Sequence, residues 1–135
     1  MILFVSLFLS LACSSKPVKQ IIPGPAIRGL NLTGSYDCPE FGFMRLRQTG
    51  SNVRGSYAGI RGNGDQGTVR GKIEGDILWL DWIQPGNIEH AIGAKTGKGW
   101  LRIIKRGEEL KGEWGYDQSV DNGGKWTAFR SEFVE

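Results

Sequence analysis

The chain has 135 residues, 21 of them glycine, and a formal net charge of +3 from 17 basic and 14 acidic side chains. That length suits one domain with a modest core. Glycine at about twice its usual share of roughly 7%, scattered among aromatic and β-branched residues without a G-X-Y period, argues against collagen or a linker and for a turn-rich all-β domain. Charges alternate in sign, as in RIIKRGEELKGEW at 102–114, with no basic run interleaved with aromatics. A nucleic-acid groove needs a concentrated basic stripe, so no nucleic-acid partner is expected.

Residues 1–12, MILFVSLFLSLA, are apolar apart from two serines. The run falls short of the roughly 20 residues that span a bilayer as a helix, and helix breakers follow it. It reads as a secretory signal segment. The last residues, LSLAC at 9–13, resemble the lipobox of bacterial lipoproteins. The resemblance implies lipidation of Cys13, which becomes the new N-terminus, and attachment to a membrane through that lipid. Ser10 stands where a leucine is usual, and no basic residue precedes Lys16. The competing reading is a plain signal peptide with an incidental cysteine. Residues 14–31 hold three prolines and read as an extended tether of about 3.1 Å per residue. The expected organisation is signal peptide 1–12, lipidated cysteine and flexible tether 13–31, and barrel domain 32–135. The expected location is the bacterial cell envelope, on the outer membrane or its periplasmic face.

From Leu32 onward, turn signals interrupt apolar alternation about every ten residues. The pattern predicts strands at 32–37, 43–49, 53–59, 67–73, 77–83, 99–105, 110–116 and 124–131. Short Gly, Asn and Asp gaps join sequence neighbours as hairpins. An open sheet of this length would leave two edges free to pair with other chains. Closure into an eight-stranded antiparallel up-and-down barrel is therefore expected. The pentads VRGSY (53–57), VRGKI (69–73) and LKGEW (110–114) repeat one pattern, with LTGSY (32–36) as a looser copy. Alternate residues of a strand share a face. Val53, Gly55 and Tyr57 then point inward, as do Val69, Gly71 and Ile73, and Leu110, Gly112 and Trp114. The inward glycines make room for bulky neighbours or leave a cavity, and let the strands bend.

LTGSY at 32–36 and KWTAFR at 125–130 resemble the first and last strands of calycin barrels, the avidin-like branch in particular. GSYAG, ILWLDWIQP and LKGEWGY are similar to strands between them. The resemblance implies that Arg130 packs across Tyr36 in a cation–π pair and seals one end. It also places Tyr57, Trp82, Trp114 and Trp126 where avidins line their pocket. Biotin is not implied. Cys38, Gly42 and Gly59 stand where the ureido-binding polar side chains would be needed, and an unpaired buried polar group costs roughly 1–3 kcal/mol.

Trp82, Trp114 and Trp126 either fill the barrel with Leu78, Leu80, Met44 and Leu46, or wall a ligand pocket. Trp79 should face outward, as a protein contact or as an isolated exposed aromatic. His90, the only histidine, lies in a long loop beside Glu89; two groups make no metal site. Cys38 is expected as a small buried hydrophobe, with intermolecular pairing as the alternative. No phosphate loop and no carboxylate pair stand out, so no cofactor, no metal and no enzymatic activity are expected. The sequence thus points to an envelope lipoprotein whose barrel binds a small apolar molecule or a protein. The alternative is an inhibitor of a lysozyme or protease, acting through its loops, above all 84–98.

Overall fold

The computed structural model describes residues 19–59, 66–86, 89, 91 and 93–131. The signal segment 1–12, Cys13, His90 and residues 87, 88 and 92 lie outside the described residues. Eight strands follow in order: β1 (Gly34–Cys38), β2 (Gly42–Thr49), β3 (Asn52–Gly59), β4 (Gly67–Glu74), β5 (Ile77–Gln84), β6 (Lys95–Ile104), β7 (Glu109–Tyr116) and β8 (Gly124–Arg130). Each is antiparallel to the next, and β8 returns to β1 through Tyr36↔Arg130 and Asp37↔Phe129. The result is a closed up-and-down barrel, consistent with an avidin-like architecture. One 3₁₀ turn, Lys105–Gly107, joins β6 to β7.

Period-two alternation decides the two faces. In β2, Met44 and Leu46 are buried while Phe43, Arg45 and Arg47 are exposed. In β5, Leu78, Leu80 and Trp82 point inward. One strand departs from expectation: β6 begins at Lys95 instead of residue 99. Gly97 reads as a turn signal in the sequence, yet it lies inside the strand. An added Cβ at Gly97 would stand 2.4 Å from the Trp82 ring. This glycine is the space that the indole occupies.

At Gly97 the Gly115 carbonyl oxygen stands nearer still, at 2.0 Å, and the glycines of the pentads share this second cause. An added Cβ would stand 1.8 Å from the Trp100 carbonyl oxygen at Gly112, and 2.1 Å from that of Arg45 at Gly55. Neighbouring backbones approach too closely there for any side chain, as expected where a narrow barrel coils sharply.

One end of the barrel is sealed. Leu32 and Tyr36 are fully buried, and the Tyr36 hydroxyl donates to the Leu32 carbonyl at 3.0 Å. The Arg130 guanidinium lies 5.3 Å from the Tyr36 ring centroid. It donates to the carbonyls of Asn31 at 2.7 Å and Thr33 at 3.2 Å. Burial pushes the Tyr36 phenol up to about 12, against the smaller pull of Arg130.

Residues 19–31, expected as part of a flexible tether, instead lie along the barrel. Lys19 pairs with Glu113 and sits over the Trp100 ring. Arg102 donates to the Ile22 carbonyl, and the Gly24 amide donates to Asp76 at 2.6 Å. Gln48 donates to the Leu30 carbonyl, and Arg106 to that of Arg28. Ile27 and Leu30 pack on the core. Ile77 faces outward by alternation, yet it is fully buried beside Asp76 and opposite Arg102, where this strap crosses. Proline prevents the segment from pairing as a strand; side chains of the barrel satisfy its backbone instead.

Candidate functional site

Among the described residues the other end is open. Above the apolar core lies a cavity of about 240 Å³, lined by Glu40, Phe41, Tyr57, Trp82, Gln84, Lys95, Trp114, Tyr116 and Trp126. Five strands and one turn supply its wall, β6 through Lys95. Tyr57 comes from the upper end of β3, Trp82 from β5, Trp114 and Tyr116 from β7, and Trp126 from β8. Phe41 sits in the β1–β2 turn. The barrel is thus packed in its lower half by Met44, Leu46, Val53, Val69, Leu78, Leu101 and Leu110 and hollow at its mouth.

The aromatic rings form a connected, edge-to-face wall. Trp126 meets Phe41 at 5.5 Å between centroids, and Phe41 meets Trp114 at 5.9 Å. Trp114 meets Tyr116 at 5.0 Å and Trp82 at 5.8 Å. Such pairs fix ring orientation as well as burying area. Polar contacts hold the wall in place. The Trp82 indole N–H donates to the Gly115 carbonyl at 3.1 Å, and the Tyr57 hydroxyl donates to Gln84 at 3.2 Å. Glu40 accepts from the Thr127 amide at 3.1 Å and from its hydroxyl at 2.7 Å, which fastens the turn carrying Phe41 to β8. The Asn122 side chain accepts from the Tyr116 amide at 2.7 Å and holds the end of β7.

Of the residues singled out by sequence, Tyr57, Trp82, Trp114 and Trp126 converge on this cavity. Tyr36 and Arg130 lie at the opposite end. Cys13 lies outside the described residues. Glu40, Phe41, Tyr116, Gln84 and Lys95 were missed. Tyr116 was within reach, because it continues the alternation two residues after Trp114. Phe41 had no such signal: it folds inward from a turn. Trp79 faces outward and donates to Glu74 at 3.0 Å. The loop expected over 84–98 is shorter, because Gln84 and Lys95 pair as strand ends.

The chemistry of the lining is limited. Its ionisable side chains are Glu40, Lys95 and the two tyrosines, and Glu40 is engaged by Thr127. Cys38, behind Trp126, is buried and free. Burial pushes its thiol up to about 12, against the smaller pull of Trp126. It is therefore a neutral thiol near pH 7, a poor nucleophile. Among the described residues no group of three His, Cys, Asp or Glu side chains could hold a metal. Among them, too, no helix is long and apolar enough to cross a membrane.

Comparison with protein-family models, curated proteins and solved structures finds no match for this chain.

Proposed function

We propose that this chain is a non-enzymatic binding protein, exported and lipid-anchored through Cys13 to a bacterial cell envelope, that receives a small, mostly apolar ligand in the open end of its barrel. The observation that carries the reading is the asymmetry of the barrel: one end closed by Leu32, Tyr36 and Arg130, the other hollow and walled by six aromatic side chains. Concave, aromatic sites with few polar groups are where small molecules bind. A cavity of about 240 Å³ exceeds the roughly 150 Å³ that holds benzene and falls below the usual range of about 300–1,000 Å³ for larger ligands. It fits one or two rings with a polar substituent directed at Gln84 or Lys95.

Titration with the neutral aromatic probe N-phenyl-1-naphthylamine tests the site. Binding should quench tryptophan emission, with energy transfer to the probe. Trp114→Ala, which deletes the central ring of the wall, should weaken binding about tenfold, the equivalent of about 1.4 kcal/mol. Probe binding that leaves tryptophan emission unchanged, or that Trp114→Ala and Tyr57→Ala do not affect, would refute this reading. For the anchor, a clickable fatty acid fed to a bacterial host should label the wild-type chain and not Cys13→Ser.

A further inference from the structure

The outer face of β2, β3 and β4 carries a cationic row that no linear stretch of the chain displays. Strand register sets Arg47 directly opposite Arg54, and Arg54 directly opposite Arg70. Arg45 lies two residues from Arg47 on the same face, and Lys72 two from Arg70. All five side chains are exposed. Directly opposed positions stand about 4.5–5.5 Å apart, so the row of three spans about 10 Å.

These charges are unbalanced. Every ion pair among the described residues lies elsewhere: Lys19–Glu113, Lys98–Asp81, Arg102–Asp76, Lys105–Glu109, Lys111–Glu109 and Arg130–Glu108. Asp81, the acid opposite Arg70, is bonded to Lys98 at 2.7 Å. Glu74, the only acid within β2–β4, accepts from Trp79. Like charges directly opposite one another destabilise a sheet. Three arginines in register, with no acid among them, are what an anionic surface would neutralise.

We infer that this face docks on an anionic lipid surface. The outer face of a closed barrel is convex, so it meets a plane and cannot enfold a polymer. No aromatic side chain lies between the three arginines: Phe43, beyond Arg45, and Trp79, opposite Lys72, stand at the two ends of the patch, so the row offers no continuous stack for bases, as single-stranded nucleic acid would require. At the edge of the patch Phe43, 54% exposed, stands two residues before Arg45 on the same face. A basic patch with an apolar side chain beside it is the composition of an interfacial membrane contact. The exposed Asp37, opposite Phe43, bounds the patch on the β1 side.

The test is partition of the full chain between buffer and vesicles, one set of phosphatidylcholine alone and one containing 30% phosphatidylglycerol. The readout is the anionic-to-neutral ratio, which the uncharged side chains of residues 1–12 and any lipid on Cys13 affect little. The wild-type ratio should be large at low salt and fall steeply at 0.3 M salt as screening sets in. Arg47→Gln/Arg54→Gln should lower it about 25-fold, roughly fivefold per cation. Lys98→Gln, on the paired side, should change it less than twofold. Because repulsion is relieved, the double variant should melt no lower than wild type. A ratio near one, or a double variant indistinguishable from wild type, overturns the inference. So does a chain that ignores anionic vesicles but binds a single-stranded oligonucleotide or an acidic polysaccharide through these arginines.

Discussion

Deleting one oxygen from the sealed end tests how the barrel is closed. Tyr36→Phe keeps the ring beneath Arg130 and removes only the hydroxyl that donates to the Leu32 carbonyl at 3.0 Å. Both residues are fully buried, so water cannot replace the lost donor. A buried group left without its partner costs about 1–3 kcal/mol. For a domain of this size about 4 °C follows each kcal/mol, and the melting temperature should fall by about 4–12 °C.

The same variant has a pH signature. Burial holds the Tyr36 phenol at about 12 in the folded chain, against 10.0 for the free group. A raised pKa means that the folded state keeps its proton more tightly. The contribution is complete below pH 10 and is lost as pH climbs from 10 toward 12. Two units correspond to roughly 3 kcal/mol. Phenylalanine cannot ionise, so the advantage of wild type over Tyr36→Phe at pH 7 should shrink above pH 10 and then reverse. Urea melts followed by far-UV circular dichroism at pH 7, 9 and 11 measure both parts. A variant within about 0.3 kcal/mol of wild type at pH 7, or a gap that stays constant with pH, would refute the reasoning.

Other outcomes follow from single contacts. Cys38, raised from 9.0 to about 12 by burial, begins to cost stability from pH 9 upward, so Cys38→Ala should flatten the first part of the alkaline loss. Gly112→Ala places a Cβ 1.8 Å from a backbone oxygen and should cost about 3 kcal/mol or more. Gly99→Ala, with 3.0 Å to its nearest atom, should cost about 1 kcal/mol; urea midpoints of the pair give the comparison. Burial works to raise the Asp76 carboxyl, but the Gly24 amide and Arg102 outweigh it and hold it below its ordinary range. Its support of the strap is therefore present at neutral pH and lost in acid. Asp76→Asn should speed amide hydrogen exchange over 22–30 at pH 7, with wild type converging on it at low pH.

The strand count and the inward faces were legible because alternation is a local property. Val53, Tyr57, Leu78, Trp82 and Leu110 announce their direction through their immediate neighbours. The start of β6 was not legible, since Gly97 serves the Trp82 ring of another strand and looks like a turn in its own. The strap was missed for a related reason. KQIIPGPAIRGL at 19–30 has no periodicity, and what fixes it are Asp76, Arg102 and Gln48, which lie far from it in the chain. Of the cavity wall, the strand-borne aromatics could be read from alternation and the turn-borne Phe41 could not.

The charge pattern shows the same limit in sharper form. Along the chain, Arg47, Arg54 and Arg70 are separated by seven and then sixteen positions, and the basic residues are diluted by glycine and hydroxyl groups. Across the sheet they are consecutive. A hairpin reflects position 47 onto 54 about the Gly50–Ser51 turn, and the next reflects 54 onto 70. One residue of slip at either turn would send an arginine into the core, so the register that buries Met44, Leu46, Val53 and Val69 is also what aligns the arginines. A substitution that relaxes the repulsion without touching that register should therefore leave the fold intact and alter only what the face attracts. Arg47→Gln/Arg54→Gln, melting no lower than wild type while losing its preference for anionic vesicles, would separate the charge of this face from its role in the barrel.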